Sequence, residues 1–304
     1  MSTNDIFRKK PYSVLLAVTA MFAWGAAFPL IKLGMAAFAV GSNDAPGKLL
    51  FAGIRFGIAG GITLLFAKAR GTELAPRRGS LKWVLLYGLV NTALHYFCFY
   101  MGLSQCSGSK SSIIDSFGTF ELILLACLIF RERMTGWKAA GIALGLGGIL
   151  VTNLGGDVSG GFRLAGEGMM LAATICAAFG GILARVVTAK NDVIAVTGWG
   201  LLTGGVLLTA AGLITGGRIT RVTPMGILIL CGLVTISTVA FILYNQLLRD
   251  NPVSEIAIYN ALIPCFGTML SCLLLGETFY PKYLIGIALI AVGIWAVNRN
   301  TAKQ

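Results

Sequence analysis

Residues 137–153 read WKAAGIALGLGGILVTN, and residues 282–298 read KYLIGIALIAVGIWAVN. Laid over one another at an offset of 145, they pair Gly141 with Gly286, Ile142-Ala143-Leu144 with Ile287-Ala288-Leu289, Gly148-Ile149 with Gly293-Ile294 and Asn153 with Asn298. Upstream the same offset sets Cys127 on Cys272 and Glu132 on Glu277. Nearer the N-terminus an offset of 155 aligns Thr19 with Thr174 and Ala23-Trp24-Gly25 with Ala178-Phe179-Gly180. The ten-residue difference fits a longer first outer loop, around residues 34–47. Self-similarity of this kind predicts two related halves, residues 1–153 and 154–304.

Both halves consist of long apolar runs. The chain of 304 residues is 56% hydrophobic and 12% charged, whereas a soluble domain carries about a quarter charged residues. Lipid must therefore cover much of its surface. A helix needs roughly 20 apolar residues to cross the hydrocarbon core. Runs of that order occupy 12–33, 49–67, 81–103, 109–130, 137–153, 164–187, 193–214, 224–248, 253–275 and 282–297. Short gaps such as Gly155-Gly156-Asp157 and Arg249-Asp250-Asn251-Pro252 separate them. The expected fold is an all-α integral membrane protein of ten transmembrane helices. Five spans per half is an odd number, so the second half enters the membrane upside down. Two inverted five-helix repeats are a secondary-transporter architecture, in which two bundles rock about a site near the midplane.

Lys and Arg set the orientation. With the N-terminus inside, sixteen of them fall in cytoplasmic segments and six in outer ones, while Lys32 and Arg55 lie within spans. This bias predicts both termini in the cytoplasm of a bacterial-type inner (plasma) membrane. The net charge of +12 has the same origin: basic residues flank apolar runs as orientation signals and lipid contacts, and no nucleic-acid partner is expected. The seven cysteines form no CxxC pair and read as small buried hydrophobes. Arg8-Lys9-Lys10 leads into an apolar run too long for the core of a signal peptide. HExxH, GxGD and nucleotide-loop motifs are absent and histidine occurs once, so no catalysis, metal or cofactor is expected. The partners expected are a small-molecule substrate and membrane lipid, with the proton a candidate coupling ion. Nothing in the sequence sets an oligomeric state.

The first run reads Ala23-Trp24-Gly25-Ala26-Ala27-Phe28, which resembles the WGxxF opening of the EamA family in the drug/metabolite transporter superfamily. Each half closes with a Glu at the edge of its fourth helix, followed by a Gly-rich fifth helix. Pro264 precedes Glu277 within IPCFGTMLSCLLLGE, similar to the family's Pro-to-LGE stretch. The resemblance covers nearly the whole chain and implies ten helices, a central cavity and movement of amino acids and related metabolites. The first half departs from that pattern: Thr119 stands where the second half has Pro264, and Phe130-Arg131-Glu132 replaces Leu275-Gly276-Glu277. A straighter fourth helix is the consequence expected.

Ionisable groups within spans are expensive and mark functional sites unless they are paired. Arg55 and Asp115 lie at equal depth, about 8–10 Å below the outer ends of their helices at ~1.5 Å per residue. Their opposite signs predict a structural ion pair, with Lys32 as a third member. Glu121 lies nearer the middle of the fourth helix, about 9 Å along the axis from Asp115 and roughly 120° around it. A carboxylate with no cation beside it can trade protons as its surroundings wet and dry, so Glu121, Asp115 and His95 are the proton-coupling candidates. For His95 the alternative is a hydrogen bond to Asn91 or Thr92, one turn back.

The expected substrate-binding set is Trp24, His95, Tyr96, Phe99, Glu121, Tyr244, Tyr259 and Asn260. Acidic groups facing aromatic rings suit a cationic or zwitterionic amino acid or amine. Pro29 and Pro264 free backbone carbonyls, and Gly57-xxx-Gly61, Gly141-xxx-Gly145 and Gly286 with Gly293 predict close helix contacts. The expected function is secondary active transport by alternating access. Facilitative exchange or uniport of another small metabolite is the alternative; an intramembrane enzyme, a channel or a scaffold are the rivals from other classes.

Overall fold

The computed structural model describes residues 3–41, 43–103, 105, 108–153, 163–276 and 279–299. Glu277, Cys106, Gly155-Gly156-Asp157 and Lys303 lie outside them. Among the described residues all regular structure is helical. Lipid offers the backbone no hydrogen-bond partner, so each apolar run satisfies its peptide groups within itself.

Among the described residues, helices coincide with the expected runs to within a few residues. They are α1 (Lys10–Ala37), α2 (Ala45–Ala69), α3 (Leu81–Leu103), α4 (Gly108–Ile129), α5 (Gly136–Asn153), α6 (Leu164–Thr188), α7 (Val193–Ile214), α8 (Pro224–Asp250), α9 (Val253–Leu275) and α10 (Lys282–Asn298). Seven of them, α1 to α3 and α6 to α9, are long and apolar enough to cross a membrane. In α4, α5 and α10 the apolar stretches are shorter: Phe117–Ile129, Gly136–Val151 and Lys282–Asn298. A helical turn, Thr3–Arg8, precedes α1.

Three helices are interrupted. A π turn over Leu89–Leu94 divides α3, another over Leu164–Gly168 opens α6, and a 3-10 turn over Ile258–Ala261 divides α9. Pro264 has no N–H to return to the Asn260 carbonyl four residues back, so the α-helical ladder of α9 cannot run unbroken here. Thr119 imposes no such break, and α4 is one continuous helix, as expected.

Glycine sets how the helices meet. A methyl group added to Gly205 of α7 would come 2.2 Å from the Gly57 nitrogen, and one on Gly60 of α2 would come 2.3 Å from the Leu202 nitrogen. The opposed pairs 50/212, 53/209, 57/205, 60/202 and 64/198 rise on one helix as they fall on the other, so α2 and α7 run antiparallel with their backbones touching. The expectation for Gly57-xxx-Gly61 needs correction. A methyl at Gly57 or Gly61 meets nothing within 4 Å, and Gly53 and Gly60 are the α2 glycines whose own Cβ positions are filled by α7.

The α5–α10 contact is similar. A methyl on Gly141 would lie 2.6 Å from the Gly293 carbonyl, and one on Gly148 would lie 2.7 Å from the Gly286 carbonyl. Positions paired by the 145-residue offset thus exchange places across this crossing. Elsewhere α1 packs on α8 and α9, while α6 packs on α3 and α4.

The described connections lie on two faces. On one, Lys10 Nζ donates to the Asn298 carbonyl (3.1 Å) and Asn251 Nδ2 to the Phe7 carbonyl (3.0 Å). The Arg77 N–H meets Asn191 Oδ1 on that face as well (2.9 Å). Both described ends of the chain therefore meet there; it is termed the terminal face below. On the other face Gly217 abuts Pro46.

These contacts predict opposite outcomes for neighbouring glycines. Gly205→Ala drives a methyl into the α2 backbone and should destabilise by about 1–3 kcal/mol, the usual penalty of overpacking. Gly57→Ala and Gly61→Ala point into open space and should be neutral or slightly stabilising through helix propensity. Thermal unfolding of the three purified variants checks the order; equal melting temperatures would sink the assigned register.

Candidate functional site

Aromatic rings form a ladder between the helices. Tyr244 of α8 lies 5.0 Å from Trp24 of α1, and Trp24 lies 5.1 Å from Phe241. Phe241 is 6.3 Å from Phe56 of α2, which is 4.4 Å from Tyr96 of α3. Tyr96 stacks on His95 at 4.5 Å and neighbours Phe99 and Tyr100 at 6.4 and 6.5 Å. Trp24, His95, Tyr96, Phe99 and Tyr244 lie in one ring cluster, joined by Phe56 and Phe241.

Polar side chains border this ladder, and some lack partners. Asn260 Nδ2 donates to the Tyr244 hydroxyl (3.0 Å), while its Oδ1 is buried without a hydrogen bond. Trp24 Nε1, Thr92 Oγ1 and Glu121 Oε2 are in the same condition among the described residues. Burying such an atom unsatisfied costs about 1–3 kcal/mol, and two of them, Trp24 Nε1 and Asn260 Oδ1, belong to the ladder or to a residue bonded to it. Glu121 Oε1 lies 3.2 Å from the Thr174 hydroxyl, which also lies 2.8 Å from the Leu171 carbonyl. One hydroxyl proton cannot serve both acceptors at once, so Glu121 is left short of donors.

The other candidates have separate settings. Asp115 is close enough to Glu121 and Tyr96 for their charges to interact. His95 hydrogen-bonds to the Asn91 backbone carbonyl, within the π turn of α3. No ion pair joins Arg55 to Asp115 among the described residues. Instead Arg55 Nε donates to Ser237 Oγ of α8 (2.9 Å), and the guanidinium lies 4.9 Å over the Phe56 ring. Tyr259 is buried in the same apolar cluster as Tyr244 and also lines a cavity of about 260 Å³ at the terminal face, with Arg8, Lys10 and Glu255.

Sequence reading passed over a second polar cluster. The Tyr87 hydroxyl accepts from Asn245 Nδ2 (2.9 Å) and Asn91 Nδ2 (3.3 Å), and Asn245 also donates to Thr197 Oγ1 (2.9 Å). An Asn and a Tyr well inside apolar runs were the available signal.

A family model for EamA-like transporters matches residues 11–154 and again residues 164–299. The chain belongs to the EamA-like transporter family. It is 28% identical to an S-adenosylmethionine/S-adenosylhomocysteine transporter of Chlamydia muridarum, over 97% of this chain and 94% of that protein. It is 27% identical to the uncharacterized inner membrane transporter YedA of Escherichia coli, over 92% of this chain and 89% of that one. A solved crystal structure superposes with a TM-score of 0.79 at 18% identity, covering 95% of this chain and 97% of the other, and shares its fold. The chain is thus an inner-membrane transporter of the drug/metabolite type, bathed in lipid and moving a small molecule, and its role is not enzymatic.

At the terminal face the transporter closes a charged seam. Glu132, between α4 and α5, accepts from the Val253 N–H (2.7 Å) and the Ser254 N–H (3.1 Å) at the start of α9, and from the Ser254 hydroxyl. Lys138 donates to Ser254 Oγ (2.8 Å) and lies 3.8 Å from Glu132. Arg185 of α6 donates to the Leu248 and Asn251 carbonyls, where α8 ends. Anion at a helix start and cation at a helix end both oppose the helix dipole favourably.

Glu132 is 12% exposed in its side chain, so its loss should register. Glu132→Ala removes the cap of α9 and strands Lys138, and should destabilise by about 1–2 kcal/mol. Glu132→Gln, which can still accept from the two N–H groups, should lose less. Thermal melts of the detergent-solubilised variants decide it, and an unchanged Glu132→Ala midpoint would remove the seam from the account.

Proposed function

We propose that the transporter is a secondary carrier of cationic or zwitterionic metabolites built on an amino-acid or amine scaffold, working by alternating access. The observation that carries this reading is the set of unpartnered buried atoms: Asn260 Oδ1 as an acceptor and Trp24 Nε1 as a donor at the aromatic ladder, and Glu121 Oε2 as an acceptor on α4. A substrate with a positive centre and an aromatic or apolar body supplies what these atoms lack, through hydrogen bonds and cation–π attraction. S-adenosylmethionine, the cargo named for the chlamydial relative, has that chemistry: a sulfonium, an amino acid head and a flat adenine.

The proposed frame is ten spans in two inverted repeats, residues 1–153 and 154–304, with both ends in the cytoplasm. The twofold exchange of glycines between α5 and α10 supports it, as do the pairings of α1 with α8 and α9 against α6 with α3 and α4. The 17 residues of α10 rise about 26 Å, near the thickness of the hydrocarbon core.

Glu121 is the proposed proton relay, with Asp115, within its electrostatic reach, and His95 as the further candidates. Glu121→Gln in proteoliposomes should weaken downhill exchange of S-adenosylmethionine or a related amino-acid cation and abolish the further accumulation driven by a pH gradient. Accumulation at the wild-type level would refute the proton role.

A further inference from the structure

We propose that Arg55 is the subsite for a carboxylate of the transported molecule. The inference rests on the substrate class proposed above and says which end of that substrate goes where.

Arg55 is 3% exposed and carries a permanent charge. Ion pairing with a carboxylate is the ordinary way to keep such a charge inside a membrane protein. Among the described residues none stands within ion-pair distance of it. Its one hydrogen bond is from Nε to Ser237 Oγ, and Ser237 directs its own proton to the Leu233 carbonyl (2.9 Å), which holds the hydroxyl oxygen towards the arginine. The ring of Phe56 lies under the guanidinium at 4.9 Å, and the phenols of Tyr96 and Tyr100 are its polar neighbours.

The side chain is therefore fixed at Nε and across one face, while its two Nη groups make no hydrogen bond to any described residue. Those groups form the fork that binds a carboxylate by two parallel hydrogen bonds. Because Phe56 and Tyr96 belong to the ring ladder, the fork sits beside the candidate site and not in a separate compartment. Glu121 and Asn260 offer acceptors elsewhere around that site. A zwitterion would thus be held by its acid group at Arg55 and by its cationic group at the acceptors.

The test compares acids with their decarboxylated amines: S-adenosylmethionine with decarboxylated S-adenosylmethionine, and L-tryptophan with tryptamine. Binding is measured by thermal shift and calorimetry on the purified full chain. Wild type should prefer the acid of a pair by roughly 10- to 100-fold, the usual worth of hydrogen bonds to a charged group. In Arg55→Gln that preference should fall to about one, and in Arg55→Lys, which keeps charge and loses the fork, it should be intermediate.

Should Arg55→Gln fail to fold, the wild-type ratio alone still decides. Equal binding of acids and amines, an amine preference, or stabilisation by chloride without an acid preference overturns the Arg55 assignment and leaves the substrate class standing. A preference that survives in Arg55→Gln overturns it too. If wild type binds neither acids nor amines, the substrate class is wrong and the subsite falls with it.

Discussion

Hydrocarbon gives a polypeptide nothing to hydrogen-bond to, and the architecture of this transporter follows from that lack. Peptide groups close into helices because no other partner exists. Between helices there is little hydrophobic drive, since lipid tails are as apolar as leucine, and association depends on how closely backbones approach. The antiparallel contacts of α2 with α7 and of α5 with α10 answer that demand with glycine, whose missing side chains let one backbone lie against another.

The same constraint explains where the candidate site lies. A helix may lose its regular ladder in a membrane only where protein or enclosed water takes over the freed groups. The π turn of α3 carries Asn91 and Thr92 and leads into His95; the 3-10 turn of α9 carries Tyr259 and Asn260. Irregular turns of this kind often accompany function in helices. Of the four buried polar side-chain atoms without partners among the described residues, Thr92 Oγ1 and Asn260 Oδ1 sit in those turns, and Trp24 and Glu121 lie on neighbouring helices.

Length and apolarity are one-dimensional properties, which is why the helices could be placed from sequence to within a few residues. The all-helical membrane class and the family were legible for the same reason, carried by runs of about 20 residues and by Trp24-Gly25 and Pro264 in order. Partner choice was not. Depth along a helix is one coordinate, and Arg55 and Asp115 shared it; azimuth decides contact, and packing turned Arg55 towards Ser237, 182 residues away. The spacing of Gly57 and Gly61 identified a small-residue face on α2, yet the side of the helix that meets α7 is centred on Gly53 and Gly60.

The seam at the terminal face shows how charge is used where water is near. Glu132 and Arg185 bind main-chain groups at the start of α9 and the end of α8, so no charge pairing in the sequence announces them. Both reach across from residues before 190 to the bend between α8 and α9, and Lys10 adds an ion pair to Glu255 there at 3.9 Å. Any opening of the site towards this face must part those contacts. When the seam parts, water at that face can take up its polar groups, whereas the glycine crossings have no substitute for backbone contact. The proposed rocking motion would therefore break the seam and keep the crossings, which makes α2–α7 and α5–α10 the fixed axes and the α8–α9 bend the part that yields.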